Sequence, residues 1–276
     1  MLEIKATDVV TITQAKNTDG FDGHSVRAVG YWPEAFPGID ANDPKQVNVL
    51  KEQEHPLRQE SKIPTFALTY FGTYLTLVKN LGWPVEKAKQ VEARYHELYK
   101  VSDQWADAKL EQATKDGYVT VAFGLRVRTP LLSQVVWGSP KMPSAASAEG
   151  RTAGNALGQS YCMLTMRAMT DFMSKVWASP YRLRIKPAAL IHDANYLLID
   201  DDVEVVEWAN RELIASMRWQ DLPEIQHDKV KLGASLGIFW PDWAHETTLP
   251  NDADRATIIN ICRKAKEDLL AKGRQP

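Results

Sequence analysis

Apolar positions fall into a helical rhythm over Leu57–Asn80, and that run ends near Leu81-Gly82. Trp83-Pro84 opens a longer helix, in which Val85, Ala88, Val91, Tyr95, Leu98, Val101, Trp105 and Ala108 recur every three or four residues before Gly117 stops it. About thirty residues is long for a globular helix, so one break is expected within it. Tyr118–Phe123 and Leu125–Thr129 alternate around Gly124 as a short hairpin does. A Pro/Ser/Gly-rich loop to about Ser147 follows, then an apolar-faced helix from about Ala148 to Ala178. Ala188–Ile191 and Tyr196–Ile199 read as strands joined by His192-Asp193-Ala194-Asn195, and Val203–Met217 reads as a helix. Residues 1–56 read as loop-rich, with turn clusters at Asn17-Thr18-Asp19-Gly20 and Pro37-Gly38-Ile39-Asp40, and the tail beyond 217 as mixed. The predicted class is α+β, mostly helical, with a small antiparallel sheet.

Composition narrows the class of protein. The 276 residues are 44% apolar and 25% charged, which excludes a disordered or fibrous chain. No stretch approaches the ~18 apolar residues of a membrane span, and the N-terminus lacks a signal-peptide core. Cys162 and Cys262 have no metal-ligand spacing and are too few for a disulfide framework, which points to a reducing, cytoplasmic setting. The net charge of -2 hides a segregation: residues 121–190 carry nine Lys/Arg against two acidic residues, and residues 191–276 ten against sixteen. A basic middle is compatible with a phosphate-binding surface and equally with solvated faces.

Three constellations carry candidate chemistry. Arg58, Lys62, Phe66 and Tyr70 are spaced four apart, so on an α-helix they form one slowly drifting stripe, cations at one end and rings at the other. Such a stripe suits a nucleotide, with Arg and Lys on phosphate oxygens and the rings on sugar and base. From spacing alone an amphipathic helix with snorkelling basic residues is the commoner arrangement. Arg151, Asn155 and Gln159 make a second four-residue ladder, able to reach minor-groove acceptors or simply to face solvent. Ile191-His192-Asp193 puts a carboxylate at a hairpin tip, where it is either a metal ligand or the acceptor of its own turn.

In this order and with these gaps, the three resemble motif B, the adjoining helix and motif C of the family A DNA polymerases (the DNA polymerase I type). The run Arg58-Gln-Glu-Ser-Lys62-Ile-Pro-Thr-Phe66-Ala-Leu-Thr-Tyr70-Phe-Gly72 looks like the fingers helix of bacteriophage members. Asp22-Gly23-His24 resembles the Asp-Ile-His element, Gly117–Arg126 the family's Gly-Tyr-Val hairpin, and Leu232-Gly233-Ala234 with Trp243-Ala244 the close of the palm. The resemblance implies a division into a motif A remnant (1–20), fingers (21–120, with the nucleotide-binding helix 57–80) and palm (121–276, with the motif C hairpin 187–199). It implies that Arg58, Lys62 and His24 bind the incoming triphosphate, that Phe66 stacks against its sugar and base with Tyr70 beside the templating position, and that Arg151, Asn155, Gln159, Arg126 and His192 meet primer–template DNA. Asp193 would be one of two aspartates holding a Mg²⁺ pair for in-line attack by the primer 3′-OH, with Lys62 as general acid for the departing pyrophosphate. Deoxynucleoside triphosphates and primer–template DNA are the implied partners, with no membrane, and the implied location is cytoplasmic, in the host cell if the chain is phage-encoded.

The chain also departs from the family pattern. No motif A aspartate is evident: Leu2-Glu3 and Lys5 fit a remnant of that motif, while Asp8 and Asp19 sit in unrelated text. The expectation is therefore a C-terminal polymerase portion, from a split or truncated gene, that is inactive alone and needs an N-terminal fragment carrying motif A. Ala194 stands where the family often has Glu, and Pro64 lies inside the fingers helix, where it removes a hydrogen bond. The alternative is a non-catalytic nucleic-acid-binding module derived from a polymerase. A nuclease or metallohydrolase is disfavoured, since the six histidines form no His-x3-His pair and no carboxylate cluster surrounds Asp193 locally in the sequence.

Overall fold

A computed structural model of the chain describes residues 19–271, so the expected motif A remnant at Leu2, Glu3 and Lys5 lies outside the described residues. Among the described residues the α+β expectation is met by eleven α-helices and three two-stranded antiparallel sheets. They form two compact units, one running to residue 161 with 222–230 added, the other comprising 162–221 and the described residues from 231 onward.

In the first unit, α1 (Gly23–Tyr31) and α2 (Pro44–Glu52) occupy a stretch expected to be loop. Each has nine residues, too few to show a sustained period, and each is fixed by its cap. Asp22 accepts from the Ser25 N–H, and Asp43 accepts from the Lys45 N–H with Pro44 in the first helical turn. The single helix expected over 57–80 is instead α3 (Pro56–Glu60), α4 (Lys62–Thr69) and α5 (Tyr74–Leu81). Pro64 has no N–H for the Glu60 carbonyl, so the ladder is interrupted and a new helix begins at Lys62. The second break lies at Phe71, which sits at φ +60.

The long helix breaks once, as expected, into α6 (Val85–Leu98) and α7 (Lys100–Asp116) at Tyr99, and Gly117 at φ +74 stops it. Tyr31, Trp32, Leu68, Leu77, Val91 and Tyr95 fill one core of this unit. Strands β1 (Tyr118–Thr120) and β2 (Arg126–Arg128) pair as the expected hairpin, shortened by a tight turn at residues 122–124. The helix expected over 148–178 is two, α8 (Ser144–Gln159) and α9 (Met163–Ala178), parted by a 3₁₀ turn at Ser160–Cys162. The Ser160 hydroxyl accepts from the Ala122 N–H at 3.0 Å, which ties that turn to the hairpin. Leu110, Val119, Leu132, Ala153 and Leu157 form a second core linking α7, β1 and α8. This core runs across positions 120 and 121, and the hairpin and α8 lie in the same compact unit as the helices before them. Gly154 is required here, because a Cβ would come within 2.6 Å of the Phe71 ring.

The second unit holds β3 (Ile185–Ile191) and β4 (Ala194–Ile199), in antiparallel register from Ile185↔Ile199 to Ile191↔Ala194 with an irregularity between Pro187 and Ala189. α10 (Val203–Met217) has its predicted bounds and is capped by Asp202, whose carboxylate accepts from the Glu204 N–H. The mixed tail contains the hairpin β5 (Leu236–Phe239) and β6 (Glu246–Leu249), then α11 (Arg255–Ala271). Phe172, Val176, Ile185, Val205, Ala209, Leu213 and Leu249 make the core. No helix among the described residues is long and apolar enough to cross a membrane.

Candidate functional site

The start of α1 and the α3–α4 junction bring three sequence-predicted residues into one electrostatic neighbourhood. Asp22 receives the Arg58 guanidinium in a two-point pair, Nε at 2.8 Å and Nη2 at 2.9 Å, with the two side chains only 13% and 12% exposed. Its Oδ2 also accepts from the Ser25 N–H and hydroxyl at 2.9 and 2.8 Å. Burial alone would raise the Asp22 carboxyl, but the hydrogen bonds from Arg58 and Ser25 and the Arg58 charge hold it well below the usual carboxylate range. The Ser61 hydroxyl bonds the carbonyls of both Arg58 and His24, joining the helix junction to α1. His24 is pulled from 6.5 down to about 4, first by burial and then by the charges of Arg27, Lys62 and Arg58, against the opposing pull of Asp22. At neutral pH the ring is uncharged.

On α4 the ladder survives from Lys62 through Phe66 to the cap residue Tyr70, while Arg58 belongs to the helix before the break. Ser61, Pro64, Thr65 and Leu68 are buried, and the Thr65 hydroxyl both bonds Tyr31 OH and donates to the Ser61 carbonyl. Phe66 and Tyr70 are exposed, at 57% and 40%. Lys62 forms no ion pair or hydrogen bond among the described residues. The geometry therefore sets an amine and an imidazole in the field of a guanidinium that an internal carboxylate already orients, with two open rings further along α4.

The second ladder also survives, since Arg151, Asn155 and Gln159 all lie on α8. Arg151 is exposed and donates to Ser147 Oγ at 3.0 Å, Gln159 is exposed, and Asn155 has a buried Oδ1 with no hydrogen-bond partner. Arg126 on β2 is exposed and lies over the Tyr118 ring, 4.4 Å from its centroid. In the second unit, the β3–β4 hairpin turns through His192, held at φ +54, and Asp193; both side chains are exposed.

Among the described residues, no group of three or more His, Cys, Asp or Glu side chains could hold a metal ion. Mg²⁺ needs a near-octahedral oxygen shell, and Asp193 brings one carboxylate. The described residues by themselves do not fit the metal pair that motif C implies.

The sequence left Asp22, Arg27 and Tyr99 without assigned roles. Asp22 pairs with Arg58 across 36 positions, and Arg27 bonds the Tyr99 hydroxyl across 72. No periodicity connects positions so far apart, and the one local signal was the Asp-x-His spacing with Arg27 three residues beyond His24.

The depressed His24 value has a consequence for acid stability. The fold favours the neutral ring, so its contribution is fully present above pH 6.5 and is lost as pH falls through about 4. Chemical denaturation of wild type and His24→Gln between pH 7 and 4 is expected to show a smaller acid loss in the variant; parallel curves would refute this.

Residues 41–243 match the sequence model of DNA polymerase family A. Asp22 and His24 fall outside that match. Among solved structures, the POL domain of Pol1 from M. smegmatis, in complex with DNA primer-template and dNTP, superposes with a TM-score of 0.60 at 19% identity. That likeness covers 80% of this chain and 34% of the other, so the chain spans about a third of the length of the polymerase it matches. No curated protein sequence matches the chain.

Proposed function

The chain belongs to DNA polymerase family A, and from that membership we propose that it supplies the nucleotide-binding fingers and the motif C part of the palm to template-directed DNA synthesis. The observation that carries this reading is the gathering of Arg58, Lys62 and His24 beside the exposed Phe66 and Tyr70. Arg58 and Lys62 meet triphosphate oxygens as cations and His24 as a neutral donor, while Phe66 stacks on the sugar and base and Tyr70 sits beside the templating position. The Lys62 ammonium is the general acid that protonates the leaving pyrophosphate. Arg151, Asn155, Gln159 and Arg126 contact primer–template DNA, as His192 does at the tip of its hairpin.

Asp193 would contribute one carboxylate to a Mg²⁺ site whose remaining ligands would come from other polypeptide. In this reading they belong to a separate N-terminal polymerase fragment carrying motif A.

Two measurements test the proposal. The chain alone is expected to bind a fluorescent deoxynucleoside triphosphate, and Lys62→Ala is expected to weaken that binding about tenfold, the worth of one charge-assisted contact. Primer extension is expected only after a motif A fragment is added. Robust extension by the chain alone would overturn the need for a partner. Salt-dependent primer–template binding with no incorporation in any mixture would identify a non-catalytic binding module instead.

A further inference from the structure

Arg27 is a cation without an ion pair among the described residues, and its two contacts are unusual for a guanidinium. Nε donates to the Tyr99 hydroxyl at 2.8 Å, and Nη1 lies 3.0 Å from Nδ1 of His24. Tyr99 is buried at the α6–α7 break with its ring against Tyr95, so the far end of this arrangement is anchored in the core. A guanidinium has donors only, so the ring nitrogen facing it must be a bare acceptor. The neutral imidazole then keeps its single proton on Nε2. Three cations favour that form, Arg27 from α1, Arg58 from α3 and Lys62 from α4, and Asp22, the carboxylate that pulls the other way, is committed to Arg58.

We infer that Arg27 is a positioning residue that holds His24 as the neutral Nε2–H tautomer, so that His24 meets a phosphate as a one-proton hydrogen-bond donor and not as a cation. The phosphate half of this inference rests on the nucleotide reading above; the tautomer half does not. The chemical benefit is constancy. A histidine left to titrate near its ordinary value would change charge on the phosphates across the physiological range, whereas a donor fixed by Arg27 binds them alike from pH 6 to 8.

Two-bond ¹H–¹⁵N correlation spectra of the ¹⁵N-labelled chain, with the His24 signals assigned through His24→Gln, read the tautomer directly. The expected wild-type spectrum at pH 7 has a protonated Nε2 and a bare Nδ1 for His24; a proton on Nδ1 overturns the inference outright. Arg27→Met removes the donor while keeping an unbranched apolar stem. In it, the ring should populate both tautomers and its midpoint should climb back towards 6.5. Unchanged ring shifts would overturn the role of Arg27. Should that variant fail to fold, Arg27→Lys keeps the charge but lacks the fork that reaches both Tyr99 and His24, and its ring should likewise lose the single-tautomer preference.

The fluorescent nucleotide supplies the second readout. Wild-type affinity should stay flat between pH 8 and 6. Arg27→Met should bind about tenfold more weakly at pH 8 and recover as the pH falls and His24 gains charge. A changed ring with unchanged nucleotide affinity removes the phosphate role. Loss of nucleotide binding in wild type removes the nucleotide reading, and the spectra still decide the tautomer.

Discussion

Asp193→Ala in the reconstituted polymerase is expected to reduce primer extension by about 10³-fold or more, equivalent to ~4 kcal/mol of lost transition-state stabilisation. The chain itself should remain as stable as wild type. The separation follows from where the side chain sits. Asp193 is exposed at the turn of the β3–β4 hairpin and makes no hydrogen bond or ion pair among the described residues. The hairpin is held elsewhere, by its register from Ile185↔Ile199 to Ile191↔Ala194 and by Ile185, Leu197 and Ile199 packed into the second unit's core. An exposed substitution without partners shifts stability by less than about 0.5 kcal/mol. Single-turnover incorporation, denaturant midpoints and primer–template anisotropy measured on one preparation would separate the effects. Normal extension by the variant removes Asp193 from the site; a collapsed denaturation midpoint makes it structural.

What could be read from the sequence divides along the range of the forces involved. α10 was legible to the residue, because an apolar period of three to four starts directly after the capping Asp202. The break inside the long helix was legible from length alone, though no proline or glycine marks Tyr99. α1 and α2 were not, since nine residues give little periodicity and their starts depend on caps set among turn-forming residues. The breaks at Phe71 and Ser160–Cys162 were hidden for another reason. Phe71 is packed against Gly154, and Ser160 is tied to Ala122, so distant partners fix both. The candidate site repeats the pattern. The Lys62, Phe66 and Tyr70 ladder is a local property of one helix and was visible; the carboxylate that holds Arg58 lies 36 residues away and was not.

That carboxylate sets up the last expectation, a large loss of stability in Arg58→Ala. In the folded chain Asp22 is 13% exposed and both its oxygens take a guanidinium hydrogen. Without Arg58, the carboxylate stays mostly enclosed with only the Ser25 donors, at a cost of about 2–3 kcal/mol, just under the span for fully enclosed pairs. Asp22→Ala should cost at least as much, because it strands the guanidinium and also removes the cap of α1, which is worth ~1 kcal/mol. The double variant strands no charge, so it should fall well short of the sum of the singles, with a coupling of about 2 kcal/mol. The pH dependence has a definite sign. Pairing lowers the Asp22 carboxyl in the fold, so its stabilisation is complete above the ordinary aspartate value of 3.8 and is lost as the pH drops below it. The gap between wild type and Arg58→Ala should thus be constant from pH 5 to 8 and narrow towards pH 3. Additive losses, or a gap that widens in acid, would mean the pair does not hold α1 against α3. Arg58 would then be free to serve a ligand alone, whereas a strong coupling means that any phosphate it binds is met by a guanidinium already oriented from behind by Asp22.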